Sequence, residues 1–333
     1  MATRKTMDAA HACSYEALPI NRIEDLVEAV SAVHLEPTQL KPGCLVGTLV
    51  HAGLGTADLS SGSFRGEAHV TGPLSVHNHT IGLLLETEGA NSQWSYETQG
   101  GDIAMVPPNA EHVARHGKKT HWVTMALPLE DILEHAESCQ LHLPEALWEA
   151  PAMYRPAPNT ARQAVERFTT ALKEMATNRD LLHSSHARDA MLDELIGAAL
   201  RAYASAGGEA MDARRMFLRC HRITRAAKEY LCAHEHQPVR LSDLARYVGV
   251  SERSLQRAFQ EVFDVPAGVY LRRWRLSQAR QMLAEPIGVD MTVADAGLRY
   301  GLWELGRFAA QYRQMFGEYP AQTLRRAKQA RFG

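Results

Sequence analysis

Residues 242–259, SDLARYVGVSERSLQRAF, decide the fold of the C-terminal third of this chain. Leu244, Ala245 and Val248 form an apolar stripe at helical spacing, and Gly249 follows, the residue type that lets a chain leave a helix through a tight turn. Ser251 then caps a second helix, because its hydroxyl can accept one of the backbone N–H groups that a helix start leaves unpaired. In that helix Leu255, Ala258, Phe259 and Val262 face one way, leaving Glu252, Arg253, Gln256, Arg257 and Gln260 on the other side. A helix apolar behind and hydrogen-bonding in front, set off by a turn from a shorter helix, suits the recognition element of a helix-turn-helix.

The pattern recurs downstream. Val293, Ala296 and Leu298 end at Tyr300-Gly301, and a further helix carries Leu305, Phe308, Tyr312 and Phe316, closed by Gly317 and Pro320. Between the two units runs PAGVYLRRWRLSQARQML, residues 266–283, where Pro266 suits a first helical turn and Leu276, Ala279 and Leu283 make a stripe that ties the units together. Two recognition helices joined by one linker helix can enter successive major grooves on one face of DNA, about 34 Å apart.

Charge supports a polyanionic partner. The whole chain of 333 residues has a formal net charge of −2, but Ala213–Gly333 holds 21 Lys+Arg against 11 Asp+Glu, and 19 of those cations are arginine. Residues 1–212 therefore carry 15 basic and 27 acidic side chains. Arginine is the side chain that forks to phosphates and guanine edges, so double-stranded DNA is the first partner expected of the basic third. The break between the halves is expected at Ala204-Ser205-Ala206-Gly207-Gly208-Glu209, a small-residue linker. This gives an N-terminal domain over 15–204, a linker over 205–215 and a DNA-binding domain over 216–328.

These residues resemble the AraC/XylS family of bacterial transcription regulators. The resemblance spans roughly 220–328 and rests on Leu244-Ala245, Gly249, Ser251, Leu255, Arg257, Phe259, Arg275-Leu276, Ala279-Arg280, Leu283, Gly301, Phe308, Tyr312, Phe316-Gly317 and Pro320, in order and at matching spacing. It implies a ligand-responsive, sequence-specific DNA-binding regulator, an activator that works with RNA polymerase as a homodimer, in which Arg253, Gln256 and Arg257 reach base edges. Arg257 would fork to a guanine and Gln256 to an adenine. Ser251, Ser254, Trp303, Arg307, Gln311 and Arg313 complete the expected DNA-facing set. In the second unit the positions that usually face bases fall on Leu305, Gly306, Ala309 and Ala310, so that unit is expected to contribute position more than sequence.

The N-terminal half has a different texture. Short β-like runs at Cys44–Val50, Ile81–Leu85, Gln93–Glu97, Ile103–Val106 and His121–Ala126, separated by Gly, Pro and Asn, predict a sandwich or barrel with flanking helices. Val165, Phe168, Leu172 and Met175 mark one amphipathic helix, and Leu192, Leu195, Ile196, Ala199, Leu200 and Tyr203 another; each stripe serves a dimer contact or packs on the barrel. The whole is thus an α+β chain, a β domain followed by an all-α one. His77-Asn78-His79, Glu86 and GGDIAMVPPNAEH, residues 100–112, resemble the paired motifs of cupins, with Gly101, Pro107, Asn109 and His112 at matching places. In metal cupins two histidines, a glutamate and a later histidine hold one ion. Here six residues separate His79 from Glu86 where the metal motif has three or four, so the expectation is no metal and no cofactor, with His77, His79, Trp94, Tyr96 and His112 around a small organic effector. The alternatives are a metal-dependent cupin enzyme with an appended DNA-binding domain, and a constitutive dimeric repressor.

Composition closes off other classes. With 45% apolar and 22% charged residues and a mean hydropathy of −0.27, the chain is an ordinary globular one, and its longest apolar runs fall far short of the ~20 residues that span a bilayer. A cytoplasmic protein without membrane contact is expected. Cys13, Cys44, Cys139, Cys220 and Cys232 are an odd, scattered set expected as reduced thiols, and His234 and His236 near the last two lack a zinc spacing. Gly-rich phosphate loops with a following Lys, G-x-S-x-G and H-E-x-x-H are absent from the sequence, so no enzyme is expected.

Overall fold

A computed structural model describes residues 14–39, 41–207, 214–234, 239–285 and 290–332. The chain divides into two units, Met1–Pro37 with Leu45–Asp212, and Thr38–Cys44 with Ala213–Gly333. Cys13, His236 and the Gly208–Ala213 part of the expected linker lie outside the described residues.

The first unit is built on two sheets. Seven strands form the larger: β1 (Tyr15–Ile20), β3 (Val46–Leu54), β4 (Ala57–Arg65), β11 (Lys119–Leu127), β6 (His79–Glu88), β9 (Ile103–Val106) and β12 (Ala152–Tyr154), in that spatial order. Every neighbouring pair in it is antiparallel. The smaller sheet orders β2 (Glu36–Thr38), β5 (Ala68–Pro73), β10 (Glu111–His116), β7 (Ser92–Gln93) and β8 (Tyr96–Glu97). The expected strands at Ile81–Leu85, Ile103–Val106 and His121–Ala126 lie within β6, β9 and β11, and the one at Cys44–Val50 begins two residues later, at Val46.

Gln93–Glu97 is not one strand. Trp94 and Ser95 have φ of +48° and +67°, which makes β7 and β8 the arms of a two-residue hairpin. Trp94 and Tyr96 therefore do not share a strand face, as alternation implied. Trp94 is buried in the turn with its indole N–H on the Glu111 carbonyl at 2.9 Å.

The large sheet is covered on both faces, and period-2 alternation sorts its residues between them. On β11, Val123 and Met125 join the core made with helices, whereas Trp122 and Thr124 turn to the space between the sheets. That helical layer consists of α1 (Leu129–Ser138), α2 (Pro158–Thr177), the short α3 (Asp180–His183) and α4 (Ser185–Ser205). Phe168 and Met175 of α2 and Leu195, Ile196, Ala199, Leu200 and Tyr203 of α4 pack into one cluster with Ile81, Leu83, Val123 and Met125. The two stripes that left dimerisation and internal packing open are thus both used internally. Opposite Trp122 in the ladder stands Gly62, where an added Cβ would meet the indole at 2.6 Å, so only glycine leaves room for that ring.

The second unit is helical: α5 (Arg214–Ala233), α6 (Leu241–Val248), α7 (Glu252–Phe263), α8 (Ala267–Ala284), α9 (Val293–Arg299), α10 (Leu305–Phe316) and α11 (Pro320–Phe332). Near its start α8 packs Tyr270 against Phe259 and Phe263, with ring centroids 4.9 and 4.4 Å away. Towards its end Leu276, Ala279 and Leu283 enter a second core with Ala296, Phe308, Tyr312 and Phe316. One helix thereby anchors both small bundles, as the stripe at 276–283 predicts. Leu298 departs from the expected apolar stripe: it is 57% exposed, and Ala296 and Tyr300 do the packing there.

Burial sets the acid sensitivity of the first unit. His112 and His116 on β10 are both buried, edge-on to Trp94 and Phe64 respectively. Burial and then the neighbouring His116 push the His112 imidazole down to about 3, and burial pushes His116 down to about 4. Unfolded, both rings titrate near 6.5. Below that value the unfolded chain takes up protons that the folded unit refuses, so the stability present at neutral pH declines as pH falls, by at most about 1.4 kcal/mol per pH unit per ring, and levels off below the folded-state values. The unfolding temperature of this unit is therefore expected to drop between pH 7 and 5 in calorimetry. His112→Gln with His116→Gln should flatten that dependence; an unchanged slope would contradict the assignment.

Candidate functional site

The first helix-turn-helix is held by local chemistry at each corner. Arg240 N–H donates to the Asp243 carboxylate at 2.9 Å, which starts α6. Gly249 ends it at φ +72°, a left-handed conformation that a Cβ would strain. Ser251 Oγ accepts from Ser254 N–H at 3.1 Å, and the two hydroxyls lie 2.9 Å apart. These contacts fix where α7 begins and which face it turns outward. Leu255, Ala258 and Phe259 are buried, and Glu252, Arg253, Arg257 and Gln260 are exposed. Among the described residues no hydrogen bond or ion pair restrains Arg253 or Arg257.

Gln256 stands apart from its neighbours on α7. It is half-buried, and its Oε1 accepts from the backbone N–H of Ala267 at 2.9 Å, at the first residue of α8. An adenine fork needs the amide oxygen and nitrogen together. Here the oxygen ties α7 to the start of α8.

The second unit repeats the design with different surface chemistry. Thr292 caps α9 by accepting from Asp295 N–H at 3.2 Å while Asp295 accepts from Thr292 N–H at 2.8 Å. Gly317 closes α10 at φ +75°. The outer side of α10 exposes Leu305, Gly306 and Ala310, and Trp303 just before it is 64% exposed. Arg307 faces Glu304 at 3.6 Å, and Gln311 is half-buried. Arg313 is oriented by Tyr319, through Nη1 to the phenol oxygen at 2.5 Å and its guanidinium 4.8 Å from the ring centroid.

A groove beside α10 brings Trp303, Arg307 and Gln311 together with Arg272 and Arg275 of the linker helix. Neither arginine belongs to the DNA-facing set expected from sequence, where residues 266–283 read as a connecting helix and Arg275 counts only toward the family resemblance. Their signal is the run LRRWR at 271–275, the densest basic cluster in that helix. Arg275 is pinned, Nη2 donating to the Val239 carbonyl at 2.6 Å, while Arg272 is exposed. Both place cations beside the second recognition helix.

The expected effector residues of the first unit do not gather around one cavity, although Trp94 and His112 stand edge-on to each other. A cavity lies between the two sheets, lined from the large sheet by Phe64, Leu84 and Trp122 and from the small one by Val70, His112 and His116. Of the five residues named from sequence, only His112 lines it. His77 is exposed, His79 stands edge-on to Trp148 with centroids 5.2 Å apart, and Tyr96 sits half-buried in the hairpin arm. Glu86 is exposed and paired with Lys119. The residues that match the metal cupin set therefore do not converge, and among the described residues no three His, Cys, Asp or Glu side chains stand close enough to share an ion. Among the described residues Cys44, Cys139, Cys220 and Cys232 form no disulfide. No described helix is long and apolar enough to cross a membrane.

Residues 244–326 match the family described as "Helix-turn-helix domain". Over 103 residues the chain is 39% identical to the probable thc operon regulatory protein of Rhodococcus erythropolis, a match that takes in only 31% of either protein. A longer likeness, 25% identical over 292 residues, covers 86% of this chain and 85% of XylDLEGF operon transcriptional activator 3 of Pseudomonas putida. Among solved structures, a probable AraC family transcriptional regulator from Rhodopseudomonas palustris is 36% identical over 32% of this chain and 96% of that one, with a TM-score of 0.29. The AraC-like transcriptional activator CuxR covers 81% of this chain and 96% of its own at 12% identity and a TM-score of 0.40.

The contact between Gln256 and Ala267 has a measurable consequence. Gln256→Ala removes the acceptor at the start of α8 and is expected to cost about 1 kcal/mol of stability in the second unit, read from denaturant unfolding. Selection from a randomised DNA library should return the same base preferences as the parent. Loss of one adenine position without loss of stability would restore Gln256 to the reading set.

Proposed function

From the premise that this chain, by its helix-turn-helix domain, is a member of the AraC/XylS family of transcription regulators, we propose that it activates transcription by binding an operator through α7 and α10. The observation that carries this reading is the outer face of α7, where Arg253 and Arg257 stand exposed and unrestrained on a helix whose opposite face is locked into the core. Free guanidinium groups on a rigid helix can fork to the O6 and N7 of guanine, each pair worth about 1–3 kcal/mol of discrimination. Arg257 is assigned to a base edge. Arg313, oriented by Tyr319, is assigned to a phosphate, as are Arg307 and Arg272 of the groove beside α10. The exposed Leu305, Gly306 and Ala310 offer no hydrogen bonds from their side chains and suit thymine methyl groups, so α10 adds position and apolar contact more than polar readout.

The first unit is assigned the sensing role. We read its two sheets as a cupin-like shell around the internal cavity, and a small organic effector held there as the signal that shifts operator affinity. Such a shift equals the effector's difference in affinity between the DNA-bound and free arrangements, and an effector indifferent to the two would regulate nothing. Contacts with RNA polymerase and homodimerisation belong to this reading as consequences of an activator that binds operator DNA in the cytoplasm. The names of relatives such as the Pseudomonas activator favour activation over repression.

Two measurements test the DNA-binding role. Operator affinity is expected to fall steeply with salt, roughly 10³-fold between about 50 and 200 mM if six or so phosphates are neutralised, because each neutralised phosphate releases counterions. Arg257→Ala should relax the preference at one operator position, whereas Arg313→Ala should weaken all sequences alike and reduce the salt slope by about one. Equal loss of sequence preference in both variants would sink the division of roles, and a flat salt response would sink the DNA-binding assignment itself.

A further inference from the structure

Two large apolar side chains stand in the open at the front of α10. Leu305 is the first residue of that helix and Trp303 lies two residues before it; they are 41% and 64% exposed. Both are seated on glycine. A Cβ on Gly297 of α9 would meet Leu305 Cδ2 at 3.1 Å, and one on Gly301 would meet Trp303 Nε1 at 3.2 Å. Each side chain lies close against bare backbone, which holds its outer surface toward solvent.

The surroundings of this pair are cationic and poor in readers of polar groups. Trp303 shares its groove with Arg272, Arg275 and Arg307, and Arg313 is exposed farther along α10. Apolar surface beside guanidinium groups complements a DNA major groove, where phosphates line the rims and the thymine C5-methyl is the apolar feature of the base edges. The side chains of Leu305, Gly306, Ala309 and Ala310 carry neither a donor nor an acceptor. Glu304, whose carboxylate would accept from the amine of cytosine, faces Arg307 at 3.6 Å. The polar atom of the indole, Trp303 Nε1, is the ring atom nearest the Gly301 position, so the apolar part of the ring is left for a partner.

We propose that the front of α10 selects a pyrimidine by its C5-methyl group alone, with Trp303 and Leu305 packed on that methyl, so that 5-methylcytosine is accepted there in place of thymine. The inference rests on the operator-binding role proposed for α10 and narrows it to the one base feature that helix reads. Thymine and 5-methylcytosine carry the same methyl at the same place and differ in the group beside it, a carbonyl in one and an amine in the other. Apolar packing senses the methyl and is blind to that difference. Unmethylated cytosine offers no such contact, so methylation of an operator cytosine at this position raises affinity.

The experiment begins with the full chain selecting its operator from a randomised duplex library. Arg257→Ala marks the half-site read by α7, which leaves the other, about one helical turn away, to α10. Each thymine of that second half-site is then replaced in turn by deoxyuridine, 5-methyldeoxycytidine or deoxycytidine, with the matching purine opposite. At the thymine that α10 meets, deoxyuridine is expected to weaken binding about fourfold, the worth of one methyl group taken out of water. 5-Methylcytosine should bind within about twofold of thymine, and cytosine should fall to the level of uracil. Trp303→Ala should abolish the difference between thymine and uracil, and Trp303→Phe, which keeps an aromatic face, should retain it; because Trp303 is exposed, neither change empties a core. A second half-site selected without thymine, uracil equal to thymine throughout it, cytosine bound as tightly as 5-methylcytosine, or a thymine preference unchanged by Trp303→Ala would overturn the proposal. Recovery of no operator removes the DNA-binding reading and this inference with it, whereas an operator indifferent to the methyl removes this inference alone.

Discussion

A sheet buried on both faces governs the first unit. Each of its central strands must supply two apolar sets, one for the helices and one for the space between the sheets, and β11 does so with Val123 and Met125 against Trp122 and Thr124. That demand explains the neighbouring choices. Gly62 stands opposite Trp122 because any side chain there would strike the indole. The helices α2 and α4 are long because they must cover the outer face, and their stripes are spent on it. The cavity is what remains where small residues such as Gly82 and Ala104 meet the larger rings across the gap.

In the second unit the equivalent constraint is the corner. A recognition helix is useful only if its register against the core is fixed, since a rotation of one residue turns the face by about 100°. Gly249 and the Ser251–Ser254 pair set that register at one end of α7, and Gln256 sets it from the side by accepting from the first residue of α8. Arg253 and Arg257 are thereby left as the free groups. The division of labour follows from reach: a glutamine one turn from a neighbouring helix start can satisfy its N–H, whereas a long guanidinium stem carries its charge away from the core.

The helical unit was largely legible in sequence because its signals are local. Glycine after a stripe, serine before one and aromatic residues at helical spacing each report on a few neighbouring residues, and the bounds of α6, α7 and α10 follow from them. The β unit was less legible. Strand β4 reads ADLSSGSFR, with Ser60 and Ser61 buried by contacts to distant partners, and nothing in its own pattern announces a central strand. The Trp94–Ser95 hairpin turns on two non-glycine residues with positive φ, which carry none of the usual turn signals. His112 could be singled out from a motif, and His116 shares its strand, but Phe64 and Trp122 of the other sheet come to this space only through the fold. The contact of Gln256 is hidden for the same reason, since its position on α7 does not reveal that Ala267 lies within reach.

The division of charge bears on how such a chain distinguishes its operator from other DNA. Arginine-rich helices are drawn to any phosphate backbone, and that attraction alone carries no sequence information. Here the 21 cations of the last 121 residues share a chain with 27 acidic side chains in the first 212, and the whole is left at −2. Like charge repels like: negative charge opposes approach to DNA over distances up to about a Debye length, roughly 8 Å at physiological salt, while direct contacts of the kind proposed for α7 act well inside that distance. Offsetting the long-range attraction lowers affinity for all sequences together, and short-range forks of the kind proposed for Arg253 and Arg257 are untouched by it. On the proposed reading the ratio of specific to non-specific binding, which decides occupancy in a genome, is set by a few side chains on a rigidly seated helix rather than by the total positive charge.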